Sequence, residues 1–187
     1  MNEKHLPLIE AALKRFAHYG VKKTSMAEVA DDAGVTRRTL YNAFANKEEV
    51  IFAALLHYAG QSKKDVERDC EGVEGASQRL DILYQHLVLT PYQAMQHFPH
   101  MGEVLEVGES LPPDQKAAIK AEYVGAIRLV LAPYEAHLKR HDLSLDDLCV
   151  FIKGAMTQIK GDAENEEQLS VLFNTLKAMT MGLVLES

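Results

Sequence analysis

Apolar residues recur at steps of three and four along almost the whole chain, and period-two alternation is nearly absent, which predicts an all-α protein. Leu8, Ile9, Ala12, Leu13, Phe16 and Tyr19 form the apolar face of a first helix, and Gly20 stands where a left-handed cap ends it. In "SMAEVADDAGV", Ser25 and Glu28 have the spacing of a capping box. Met26, Val29, Ala30 and Ala33 are the buried stripe of that short second helix, and Gly34 closes it. Thr36 caps a third helix over about residues 37–44, with Leu40 and Phe44 turned inward. A long fourth helix starts near Lys47 and runs to about Asp69.

Beyond residue 75 the periodicity continues with fewer punctuation marks. Thr90 and Pro91 read as a cap with a first-turn proline, and Pro99 repeats the signal. The stretch "PPDQKAAIKAEYVGAIRLVLAPYEAHLKRH" reads as one long helix kinked at Pro133. Ser144 and Asp147 cap another. Two apolar stripes follow, one through Leu145, Leu148, Ile152, Ala155, Met156 and Ile159, the other through Leu169, Leu172, Phe173, Leu176, Met179 and Leu183. The polar "KGDAENEEQ" between them is short enough to make the two helices antiparallel neighbours.

Ala30, Gly34 and Leu40 have the spacing of a helix-turn-helix: a small residue for close crossing, a glycine for positive φ, and an apolar residue to close the core. With Leu40 and Phe44 inside, Arg37, Arg38, Tyr41 and Asn42 point away from that core. Guanidinium groups suit guanine edges and phosphates, an amide suits adenine, and a phenol suits phosphate. Charge placement agrees. The chain of 187 residues carries −7, yet residues 1–55 hold eight Lys and Arg against seven Asp and Glu. An acidic body with a locally basic N-terminal segment suggests that this segment meets the polyanion.

The block "IEAALKRFAHYGVKKTSMAEVADDAGVTRRTLYNAFANKEEVIFAAL" resembles the DNA-binding domain of the tetracycline-repressor (TetR) family, through Phe16 to Gly20, "KKTSMAEVADDAGVTRRTLYNAF", and Asn-Lys-Glu before an apolar helix. The resemblance implies an N-terminal three-helix helix-turn-helix head (1–50) followed by a helical ligand-binding and dimerisation body (51–187). It implies a homodimer on a palindromic double-stranded DNA operator, with a small-molecule inducer in the body. Carried over by position, Thr24, Ser25, Thr36, Thr39, Tyr41 and Lys47 become phosphate contacts around Arg37, Arg38 and Asn42. Asn42 and Ala43 replace an aromatic or histidine common in the family after Tyr41, so the operator sequence does not follow.

In the body, Tyr84, His86, Met95, Phe98, Met101, Tyr123, Ile127, Arg128 and Tyr134 are candidates for a largely apolar ligand pocket, with His86 and Arg128 as polar anchors. The same residues would also serve as plain core. Leu148, Ile152, Ala155, Met156, Ile159, Leu172, Leu176 and Met179 are the candidate dimer interface, as an intermolecular four-helix bundle. A single chain could also bury those stripes on itself. His137 and His141 lie four apart, but no carboxylate or cysteine completes a metal set, so no metal is expected. Cys70 and Cys149 are isolated and read as reduced thiols. No phosphate loop, nucleophile elbow or HExxH occurs, which argues against an enzyme, and no cofactor is expected. The N-terminus lacks a signal-peptide pattern and no apolar run has membrane-spanning length, so the reading is a cytoplasmic regulator with no membrane partner. A repressor released by a small molecule is the function implied; the alternative is a DNA-binding regulator controlled by a protein partner.

Overall fold

Leu8, Ile9, Ala12 and Phe16 share one face of the first helix, and all four are buried. The computed structural model describes residues 5–184. Among these there are α-helices, short 3-10 and π turns, and no strand. The helices are α1 (Leu6–Tyr19), α2 (Met26–Asp32), α3 (Arg37–Ala43), α4 (Lys47–Asp69), α5 (Ala76–Leu83), α6 (Thr90–His97), α7 (Met101–Ser110), α8 (Pro113–Leu131), α9 (Glu135–Leu138), α10 (Leu145–Asp162) and α11 (Glu166–Val184).

The caps account for the first boundaries. Ser25 Oγ accepts the Glu28 N–H at 3.3 Å while the Ser25 N–H donates to the Glu28 carboxylate at 2.8 Å, so the capping box is closed. Gly34, at φ +66°, turns the chain from α2 to α3. Thr36 Oγ1 accepts the Thr39 N–H at 3.1 Å. Two expectations for α1 are corrected. Tyr19 is exposed, its ring covered by the Arg15 guanidinium 5.1 Å from the centroid, and takes no part in the core. Gly20 has positive φ but ψ 145°, so it leaves the helix extended instead of in the left-handed cap.

Two compact units form, Met1–Ala59 with Ala94–Lys120, and Gly60–Gln93 with Ala121–Ser187. The first is built on Ile9, Phe16, Val29, Leu40 and Ile51, all fully buried, and α7 contributes the fully buried Val104 with Met101 and Val107 packed beside it. A segment far from the N-terminal fifty residues therefore shares their core.

The second unit packs α5, α10 and α11 around Leu80, Leu83, Ile127, Leu131, Ile152, Leu169 and Phe173. Here two proline expectations are corrected. Thr90 is not a cap: at φ −58° and ψ −47° it continues a helical run from α5 through a π segment, Tyr84–Leu89, into α6. Pro91 thus lies inside the run, where it has no N–H to give to the preceding turn. In that turn the Leu87 carbonyl accepts from Lys160 Nζ at 2.9 Å. The long helix predicted to bend at Pro133 breaks there, into a 3-10 turn, the four-residue α9, and a second 3-10 turn that ends at Asp142 with φ +53°. The carbonyl four residues before Pro133, that of Leu129, accepts from Arg79 Nη1 at 3.2 Å.

The dimer assignment also changes. Leu148, Ile152, Met156 and Leu176 are buried in their own unit's core, with Ala155 and Ile159 packed against it. Their helices have a second, outward face, on which Phe151 is 62% exposed, Val171 59% and Met179 63%. Of the eight candidate residues only Met179 lies on that face, and Leu172 is half-buried.

Candidate nucleic-acid interface

Leu40 decides how α3 sits. It is fully buried, and Phe44 beyond the helix end is nearly so, which turns the opposite side of α3 outward. Arg37, Arg38, Thr39 and Asn42 are exposed, and Tyr41 is 54% exposed. Among the described residues no acid pairs with either arginine. The two guanidinium groups therefore stand in the first turn of a capped helix with their donors facing water.

The flanking candidates divide. Thr36 and Thr39 are exposed, with their hydroxyls 2.9 Å apart at the start of α3. Ser25 is exposed at the start of α2, its hydroxyl engaged with Glu28. Thr24 is buried, and its hydroxyl has no partner among the described residues, so it is out of reach of an external phosphate. Lys47 is half-buried and donates Nζ to the Val21 carbonyl at 2.7 Å, which fastens the α1–α2 turn rather than leaving the ammonium free. Lys22 and Lys23, not singled out from the sequence, are exposed just before α2. The signal for them was the pair of adjacent lysines directly before the Thr24–Ser25 cap.

Acidic side chains in α2 would oppose a polyanion, and two of them share one counter-charge. Arg15 reaches from α1 to Glu28 at 2.8 Å and Asp32 at 2.7 Å. Hydrogen bonds from the Ser25 backbone and hydroxyl, then from Arg15, hold the Glu28 carboxyl down at about 2.

The nine pocket candidates divide between the two units, six in the second and Met95, Phe98 and Met101 in the first. In the second unit Ile127 is fully buried, Tyr84 packs on Phe173 with ring centroids 4.7 Å apart, and burial pushes the Tyr123 phenol up. Both expected anchors are engaged elsewhere: His86 Nε2 lies 2.7 Å from Asp69, and the exposed Arg128 pairs with Asp146. The Tyr134 hydroxyl donates to the Glu74 carbonyl at 2.6 Å. In the first unit Met95 is exposed, Phe98 meets the His18 ring edge-on at 5.1 Å, and Met101 packs on the core. No described helix is long and apolar enough to cross a membrane.

Residues 8–54, which contain the exposed α3 face, match the profile of the family "Bacterial regulatory proteins, tetR family". Over these residues, about a quarter of its length, the chain is similar to the tetR family. It is 29% identical over 108 residues to the HTH-type transcriptional repressor KstR2 of Mycobacterium tuberculosis, covering 56% of this chain and 50% of that one. The matched regions span about a quarter to a half of the length of the first curated relatives. The likeness in fold extends beyond the head. The fatty acid degradation regulator FadR from Bacillus halodurans superposes with a TM-score of 0.70 at 18% identity, over 98% of this chain and 96% of that one. FadR from Bacillus subtilis, solved in complex with stearoyl-CoA, gives 0.65 at 18% identity, over 96% and 97%.

Proposed function

We propose that this protein is a tetR-family transcriptional repressor that binds a palindromic operator as a homodimer and releases it when a largely apolar small molecule binds the body. The observation that carries the DNA reading is the outward face of α3, where Arg37, Arg38, Tyr41 and Asn42 are exposed while Leu40 is fully buried. The arginines lie in the first turn, the part of a recognition helix that reaches base edges in a major groove. Exposed Lys22, Lys23 and Ser25 at the start of α2 supply phosphate contacts, which fix register without reading sequence. Phe151, Val171 and Met179 supply the apolar face for a second copy.

For the inducer, the FadR structure with stearoyl-CoA supports a long apolar chain with an anionic head. The close packing of Ile127, Tyr84 and Tyr123 favours, as the second reading, control by a protein partner. One experiment separates the two. The chain selects a duplex from a random library, and release of that duplex is followed during titration with acyl-CoA thioesters of increasing length. Release that sharpens with chain length supports the first reading; indifference to all of them supports the second. Selection of no duplex refutes both.

A further inference from the structure

The turn between α1 and α2, residues 20–25, is tied to its own helices at its ends, by the Gly20 N–H on the Phe16 carbonyl at 2.9 Å and the Ser25 N–H on Glu28 at 2.8 Å, and it sets where α2 starts and hence where α3 points. Its backbone is held from two sides. From α4, Lys47 Nζ takes the Val21 carbonyl at 2.7 Å. From α7, Glu103 Oε2 accepts the Lys22 N–H at 3.3 Å, and the Val21 N–H also bonds this carboxylate. Glu103 is itself oriented. His100 Nδ1 lies 2.9 Å from Oε1, the His100 N–H donates to the α1 carbonyl of Ala17 at 3.0 Å, and the next residue, Val104, is fully buried in the same core. The carboxylate also explains Gly20, since a Cβ there would lie 2.8 Å from Oε1.

We propose that Glu103 is a positioning residue for DNA recognition: it clamps the α1–α2 turn and so fixes the placement of the helix-turn-helix. The clamp joins a residue from the middle of the chain to a turn in the N-terminal head. It acts by geometry, because an acid contributes nothing favourable to a polyanion's charge. The turn amides and His100 pull the Glu103 carboxyl below its usual range, as an acceptor of several donors requires. The proposal rests on the DNA-binding reading above.

The test uses the full chain, the duplex selected by the wild type, and poly(dI-dC) as a non-specific probe. Glu103→Ala should weaken binding to the selected duplex about tenfold, as expected when charge-assisted bonds are lost. Binding to poly(dI-dC) should be unchanged or slightly tighter, since a negative charge is gone. Glu103→Gln keeps an acceptor for the turn and should recover most of the loss. Amide exchange should show Val21 and Lys22 protected in the wild type and in Glu103→Gln, and exposed in Glu103→Ala. Equal affinity of wild type and Glu103→Ala for the selected duplex overturns the proposal, as does an equal drop on both probes. If Glu103→Ala does not fold, unprotected Val21 and Lys22 amides in the wild type overturn it just as well. Failure of the wild type to select any duplex overturns the DNA-binding reading instead, and the exchange data then judge the clamp alone.

Discussion

Lys160 donates its ammonium to the carbonyl of Leu87, four residues before Pro91. Arg79 does the same for Leu129, four residues before Pro133. Each contact places a cation from another part of the chain on a carbonyl in the turn before a proline, where the missing N–H leaves the backbone short of a donor.

The Lys160 contact has a pH signature. Burial, with Lys153 nearby, pushes the ammonium from 10.5 down to about 8. A lysine depressed in the folded state releases its proton earlier on folding than when unfolded, so its burial penalty is present below pH 8 and relieved as pH rises toward 10.5. The neutral amine can still donate to Leu87. Relative to Lys160→Met, the wild-type melting temperature should therefore rise between these pH values. Parallel melting curves for the two proteins across that window would show that the amine is solvated.

The Glu28 carboxyl gives a slope of the same sign in the acid range. Its folded value, about 2, lies below the ordinary 4.5, so its contribution is full above 4.5 and is lost as pH falls toward 2. Acid titration of wild type and Glu28→Gln, followed by circular dichroism, should converge at low pH. Arg15→Met should shrink the difference without removing it, since the Ser25 donors come first in holding the carboxyl down.

Arg37→Ala and Arg38→Ala should each weaken specific duplex binding by about 1–3 kcal/mol where a bidentate guanine contact is lost, and relax selectivity at that base pair. Lys22→Ala with Lys23→Ala should weaken all sequences alike and flatten the salt dependence by about two units if both neutralise phosphates. Lys47→Ala should behave differently from a phosphate lysine, because its ammonium is spent on the Val21 carbonyl. Salt titrations of the four variants on one duplex distinguish these cases.

Two pairs of substitutions on the last helices should separate assembly from folding. Phe151→Glu with Met179→Glu alters exposed side chains and should give a folded monomer with weakened operator binding. Ile152→Glu with Leu176→Glu places charges in the chain's own core and should cost several kcal/mol or unfold it, on the order of the penalty for an unpaired buried charge. Sedimentation alongside circular dichroism reads both outcomes. An interface burying more than about 1,000 Å² keeps a wild-type dimer stable at micromolar concentration. If the first pair still sediments as the wild type does, Phe151 and Met179 are not in the interface.

The head was legible in the sequence because its signals are local. The Ser25–Glu28 box, the Thr36 cap, Gly34 and the inward Leu40 each act within a few residues, and all four appear as read. α4 runs from Lys47 to Asp69, the bounds its pattern predicts. The body was less legible because its decisive contacts are distant. Pro91 looked like a helix start since nothing near it announces Lys160, 69 positions later. The α10 and α11 stripes were read as one face each, when the helices have two: Ile152 inward, Phe151 outward. Periodicity identifies an apolar face but not which partner covers it. The Lys47 contact is hidden for the same reason, since a lysine at a helix start gives no hint of a carbonyl 26 residues back.

Val104 closes a core begun by Ile9 and Phe16, and it follows Leu55, the last α4 residue packed on that core, by about 50 residues. On a ribosome elongating at roughly 5–20 residues per second, the N-terminal helices would wait roughly 3–10 seconds after Leu55 is added before that piece arrives. Until then their apolar faces and the α1–α2 turn lack their cover. A nascent chain stalled before residue 104 would present an unfinished head to chaperones and proteases, so the head completes its core only after more than half of the chain has been made.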